Sequence, residues 1–119
     1  MKSDNVHPDY FFGNTDAEHE RLIRQAIRLA PVIETLLRDA GIAPGNRVLE
    51  LGSGVGDVAM LVARIVGRSG EVVAIERDAH TISRARARAA KAGLHNESCF
   101  SQRREVCWSL CQEISRAEC

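Results

Sequence analysis

Residues 48–57 read Val-Leu-Glu-Leu-Gly-Ser-Gly-Val-Gly-Asp, and no other stretch limits the fold so strongly. The apolar run Val48–Leu51 carries one acid, Glu50, and three glycines follow at every second position: Gly52, Gly54 and Gly56. A helix-compatible segment begins at Asp57. The pattern is a strand, a tight glycine turn and a helix start, which lets a ligand approach bare backbone N–H groups at a helix N-terminus. Glycine is needed there because positive φ costs little without a Cβ, and because a side chain would cover the peptide groups.

The flanking sequence places this turn in a βαβ unit. Arg47–Leu51 reads as a buried strand. Asp57–Val66 reads as a helix stopped by Gly67. Glu71–Ile75, nearly all β-branched or small, reads as a second strand. Asp78 is a plausible N-cap for a helix running from Ala79 to about Ala92, ended by Gly93, and Cys99-Phe100-Ser101 is a weak candidate for a third strand. Strand and helix alternating at this spacing imply right-handed crossovers and a parallel sheet. Upstream, Thr15 and Glu18 have capping-box spacing, so a helix starts there. Pro31 is expected to kink or restart it, and Gly41 to end it before a turn at Pro44-Gly45-Asn46. The run Arg84-Ala85-Arg86-Ala87-Arg88-Ala89-Ala90 reads as a solvated helix face.

The second strand ends in Glu76, about two dozen positions past Gly52. In doubly wound folds an acid at this point accepts hydrogen bonds from ribose hydroxyls, and parallel pairing brings it to the glycine turn. A dinucleotide fingerprint wants a third glycine at position 57, where this chain has Asp57. Dinucleotide-binding strands are also usually apolar where Glu50 stands, and an acid there suits a ligand with a positive amino group. Both departures disfavour NAD and favour S-adenosylmethionine.

These residues resemble a known family. "VLELGSGVGD" followed by "VVAIERD" is similar to motifs I and II of the class I S-adenosylmethionine-dependent methyltransferases, and "AGIAPGNRVLE" resembles that family's helix–turn–strand entry. The resemblance covers about residues 15–95 and implies an α/β fold: a Rossmann-like parallel sheet with flanking helices, truncated here after about the third strand. It implies that Gly52, Gly54, Gly56 and the adjoining backbone hold the methionine moiety, that Glu50 orients it, and that Glu76, beside Arg77, holds the ribose hydroxyls. Ser53 and Asp57 are weaker carry-overs. The small-residue-plus-Asp pair that the family places near the adenine amino group is absent from Gln102-Arg103-Arg104-Glu105. No residue is assigned as an acceptor base.

The resulting division is an N-terminal arm (1–14), lead-in helices (15–45), a cofactor-binding half (46–101) and an atypical tail (102–119). All four cysteines, Cys99, Cys107, Cys111 and Cys119, and the single Trp108 lie late. That break leads to the expectation that residues from about 97 onward were not shaped by this fold, as a shifted reading frame or premature end would produce. Only Cys107 and Cys111 have a spacing that suits zinc, so no metal site is expected. His7, His19, His80 and His95 are scattered, and His19 is read as solvent-exposed. Tyr10, Phe11 and Phe12 are read as anchoring the N-terminus.

Sixteen basic residues balance sixteen acidic ones, which gives no general attraction to nucleic acid or an acidic membrane. No apolar run approaches the roughly 20 residues of a membrane span, and a cytoplasmic location is expected. The expected function is methyl transfer from S-adenosylmethionine, with a small molecule as acceptor. A non-catalytic cofactor-binding remnant, and more remotely an NAD-binding module, stay open as alternatives. A sheet of two or three strands leaves an edge open, so self-association through that edge is also expected.

Overall fold

The computed structural model describes residues 15–94 and 98–101. Six elements follow one another: α1 (Asp16–Asp39), β1 (Arg47–Leu51), α2 (Asp57–Val66), β2 (Glu71–Ile75), α3 (Ala79–Lys91) and β3 (Ser98–Ser101). The three strands form one parallel sheet in the order β1-β2-β3. This is the α/β Rossmann-like arrangement expected from the strand–helix alternation. The atypical tail (102–119) and Tyr10, Phe11 and Phe12 lie outside the described residues.

The helix ends are written in the sequence. Thr15 caps α1, its Oγ1 accepting from the Glu18 N–H at 3.2 Å. At the other end Gly41 takes φ +100, its N–H donates to the Arg38 carbonyl, and the Ile42 N–H donates to that of Leu37. This is a Schellman closure, and it sets Ile42 and Leu37 together against the core. α3 repeats the device, with Gly93 and Leu94 donating to Ala90 and Ala89.

The core lies on one face of the sheet. Ala59, Met60, Val62, Ala63 and Val66 of α2 meet Val72 and Ala74 of β2 and Ile82, Ala85 and Ala89 of α3. The small residues let both helices sit close to the strand, and β2, with four of five residues buried, is the centre of the structure.

Three expectations are corrected. α1 runs unbroken through Pro31. Proline removes one N–H bond, but the Ile27 carbonyl that loses it belongs to a residue 69% exposed, on the solvent side of the helix. β1 is not a buried strand: Leu49 and Leu51 are exposed, because β1 has a strand neighbour on one side only among the described residues. The fold does not stop near residue 97 either. Val72–Ile75 pair in parallel with Ser98–Ser101, so this segment is shaped by the sheet despite its change in composition.

Gly70 marks the tightest approach between elements. A Cβ placed there would lie 2.4 Å from the Val66 Cβ and 2.8 Å from the Asn46 carbonyl oxygen. Gly70→Ala is therefore expected to destabilise the fold by about 2–3 kcal/mol, as overpacking does. Urea unfolding should show a clearly lower midpoint than for wild type; an unchanged midpoint would refute the close packing of the α2–β2 turn.

Candidate functional site

The site forms because β1 and β2 are parallel and in register to their ends. Leu51 lies opposite Ile75, so the segments that leave the two strands emerge side by side. The turn is then fastened to β2: the Gly52 and Ser53 N–H groups donate to the Ile75 carbonyl at 2.8 and 3.0 Å. Gly52, Gly54 and Gly56 all have positive φ, at +71, +56 and +88. A Cβ built at Gly52 or Gly54 would meet nothing within 4 Å, so the backbone there borders open space. Gly56 is the N-cap of α2 and supplies no side-chain cap.

Glu76 lies across this turn. Its Oε2 accepts from the Gly54 N–H at 2.9 Å, and its Oε1 from the Arg77 and Asp78 N–H groups at 3.0 and 3.2 Å. A carboxylate offers about four acceptor positions, so one remains. Arg77 joins the site through its backbone; its side chain is exposed.

Below the turn the two other acids fare differently. Asp57, in the first turn of α2, is paired with Arg88 of α3, whose Nη2 donates to Asp57 Oδ1 at 2.8 Å. The Nη1 of Arg88 donates to the Val55 carbonyl at 2.7 Å, so one guanidinium ties the glycine turn to the helix start. Glu50 has no such partner. Its Oε2 is buried without a hydrogen bond, and burial, followed by the nearby negative charge of Asp57, pushes its pKa up to about 7. Ser53 is buried and its Oγ also lacks a partner.

The structure thus gathers Glu50, Gly52, Ser53, Gly54, Gly56, Asp57 and Glu76 at the ends of two strands. Asp57 is engaged by Arg88, which leaves Glu50 as the acid with an unused oxygen. Arg88 was not anticipated: the arginine run is not a uniformly solvated face, since the Arg84 and Arg88 side chains are largely covered and ion-paired. Their spacing of four residues, beside the Ala85–Ala89 stripe, is the signal that separates them from Arg86.

His19 also departs from expectation. It is 2% exposed, with Nε2 3.1 Å from Thr81 Oγ1, and burial lowers its pKa. Its sequence neighbours are polar, and the contact that buries it lies 62 positions away.

The arrangement can take a ligand that presents a cationic group to Glu50 and hydroxyls to Glu76, with its body against open backbone at the glycines. The donor set fits S-adenosylmethionine: an orphaned buried carboxylate for the α-ammonium, and a rim acid with a remaining acceptor position for the ribose.

Comparison with known proteins agrees. The profile of the protein-L-isoaspartate(D-aspartate) O-methyltransferase family matches residues 14–105. A probable cobalt-precorrin-6B C(15)-methyltransferase (decarboxylating) of Thermoplasma volcanium is 31% identical over 72% of this chain, which covers 43% of that protein's length. Among solved structures, a SAM-dependent methyltransferase from Aquifex aeolicus superposes with a TM-score of 0.58 at 27% identity, over 61% of this chain and 38% of its own. An RNA methyltransferase from Salinibacter ruber, in complex with S-adenosylhomocysteine, gives 0.55 at 32% identity, over 61% and 46%. The chain thus spans less than half the length of each of these three proteins. Among the described residues no helix is long and apolar enough to cross a membrane.

The raised pKa of Glu50 has a measurable sign. The folded state holds a proton that the unfolded chain, with its carboxyl at the ordinary 4.5, has lost. Its contribution is therefore fully present below about pH 4.5 and lost as pH rises through about 7, amounting to at most about 3 kcal/mol. Urea midpoints of the ligand-free chain should fall across this window, and Glu50→Gln should flatten the fall. Equal slopes for the two proteins would rule out a protonated, unpartnered Glu50.

Proposed function

The chain belongs to the protein-L-isoaspartate(D-aspartate) O-methyltransferase family, within the S-adenosylmethionine-dependent class I methyltransferases, and from that premise we propose that its glycine turn, Glu50 and Glu76 hold S-adenosylmethionine for methyl transfer to a small-molecule acceptor. The observation that carries the cofactor assignment is the hydrogen bond from the Gly54 N–H to Glu76 Oε2, which joins the turn and the rim acid in one site. Gly52, Gly54 and Gly56 keep the backbone clear for the methionine moiety. Ser53 adds a buried hydroxyl beside it. Asp57 and Arg88 brace the turn, and Arg77 contributes an N–H that orients Glu76.

Bound S-adenosylmethionine supplies an electrophilic methyl group on a sulfonium. The residues of this chain contribute position and charge. Glu50, with one buried oxygen that has no hydrogen-bond partner, would hold the ammonium group as its counter-charge once ionised, its proton passing to solvent. Glu76, held by the Gly54, Arg77 and Asp78 N–H groups, would accept a hydrogen bond from the ribose with its remaining acceptor position. Placement of this kind is the largest contribution a methyltransferase makes to an in-line displacement.

The balanced charge of the chain supports a small acceptor over nucleic acid, and so does the precorrin enzyme, which among the three compared proteins aligns with the largest share of this sequence. The family match supports a second reading, an isoaspartyl carboxylate as acceptor. The exposed Leu49 and Leu51 on β1, whose outer edge has no strand beside it among the described residues, support association of copies through that edge.

Calorimetric titration tests the cofactor assignment. S-adenosylmethionine and S-adenosylhomocysteine should bind and NAD should not, and Glu76→Ala should weaken binding at least about tenfold, roughly 1.4 kcal/mol. Tighter binding of NAD, or an unchanged affinity in the variant, would overturn it. Transfer of radiolabelled methyl groups to a low-molecular-weight extract, an isoaspartyl peptide and ribosomal RNA, compared side by side, distinguishes the acceptors; label only in the peptide would favour the second reading.

A further inference from the structure

Away from the glycine turn, α1 and the first turn of α3 bring Asp16, His19 and His80 together. One ligand atom from each lies within 4.8 Å of the other two. The His19 and His80 rings stack with centroids 5.7 Å apart, and His80 Nε2 is 2.9 Å from Asp16 Oδ1.

The hydrogen bonds fix the state of His19. The Thr81 hydroxyl has one proton, and it donates that proton to Asp78 Oδ2 at 2.7 Å. Towards His19 the hydroxyl oxygen is therefore an acceptor, and Nε2 is the protonated nitrogen. The lone pair of the neutral ring then sits on Nδ1, which is buried with no hydrogen-bond partner. A neutral imidazole fixed by a hydrogen bond at its other nitrogen is the arrangement seen in metal-bound histidines.

We propose that Asp16, His19 and His80 form a binding site for a borderline divalent transition metal, Zn²⁺ being the best match to two imidazoles and one carboxylate. His19 Nδ1 supplies the fixed ligand. Ligand atoms about 2.1 Å from a tetrahedral zinc lie about 3.4 Å apart, so the cluster must contract. Asp16 and His80, with side chains 75% and 60% exposed, are free to turn inward while His19 stays in place. Arg84, 3.3 Å from Asp16 Oδ1, is the opposing charge. It also pairs with Glu20, and keeps that partner when Asp16 turns to the metal. Water completes the coordination. Occupancy would pin α1 to α3 independently of the cofactor.

Zinc titration of the full chain, by competition with a chromophoric chelator, tests the site. The thiols of Cys99, Cys107, Cys111 and Cys119 are first blocked by alkylation, since they are rival ligands. One equivalent of Zn²⁺ should bind and raise the thermal midpoint, and His80→Ala, a change at an exposed position, should weaken binding at least about tenfold. Asp16→Asn should weaken it in the same direction, and Co²⁺ in place of zinc should give a visible spectrum without a thiolate charge-transfer band. Zinc binding that disappears on alkylation, or that His80→Ala leaves unchanged, would overturn the proposal. Because no S-adenosylmethionine is present, the result stands apart from the cofactor titration.

Discussion

Two N–H groups of the glycine turn end on one carbonyl, that of Ile75. Everything that makes the site a site follows from this shared acceptor. It extends the β1–β2 ladder past the last paired residues and carries the chain from Leu51 across the tip of β2, into a turn whose Gly56 N–H donates to the Ser53 carbonyl. The Gly54 N–H then meets Glu76, one residue beyond the same carbonyl. Positive φ at Gly52 and Gly54 is the conformational requirement for this path, and a side chain at either would be strained by about 1–2 kcal/mol even though the space beyond is open. The glycines are kept here by backbone conformation and by what must approach, whereas Gly70 is kept by what already fills its surroundings.

The second constraint is electrostatic. Two acids, Glu50 and Asp57, lie close under the turn, but one basic group reaches them. Arg88 satisfies Asp57 with a charge-assisted hydrogen bond and spends its other arm on the Val55 carbonyl. Glu50 is left buried, beside a negative charge, with an unused oxygen. A buried carboxylate without a partner is costly when ionised, and burial beside Asp57 raises the Glu50 pKa to about 7. An apolar residue on β1, opposite Ala74, would be more comfortable for the fold. The acid is the half of an ion pair that the proposed cofactor would complete. This is a local conflict with folding of the kind expected at functional positions.

Much of this was legible in the sequence because the signals were local. β1, α2 and β2 begin and end where the apolar runs and the Gly67, Gly70 punctuation place them, and the caps at Thr15, Asp78, Gly41 and Gly93 depend on residues within a few positions of each other. What the sequence hid are contacts across long separations. Arg88 reaches Val55 and Asp57 over 33 and 31 positions, and His19 reaches Thr81 over 62. In a run of alternating Arg and Ala the spacing of Arg84 and Arg88 beside the alanine stripe marks the covered arginines, but nothing local names their partners. Leu49 and Leu51 misled in the opposite way: an apolar run reads as buried whether or not a neighbouring strand is present to bury it. Pro31 misled because a missing hydrogen bond breaks a helix only where the orphaned carbonyl has nothing else to bind.

These long-range contacts change what α1 is for. From sequence it is only a lead-in segment. In the structure its first turns are joined to the cofactor rim by hydrogen bonds: His19 Nε2 donates to Thr81 Oγ1, Thr81 donates to Asp78 Oδ2, the Asp78 N–H donates to Glu76 Oε1, and Glu76 Oε2 accepts from Gly54. Thr81 is the joint of this chain, since its backbone N–H also donates to Asp78 Oδ2 and so caps α3. A displacement of α1 would therefore act on the N-terminus of α3 and on the carboxylate that lies across the glycine turn. The lead-in helix is held at its start by these polar contacts and near its end by Leu37 against the core, while Ile27, Leu29, Val32 and Leu36 stay exposed.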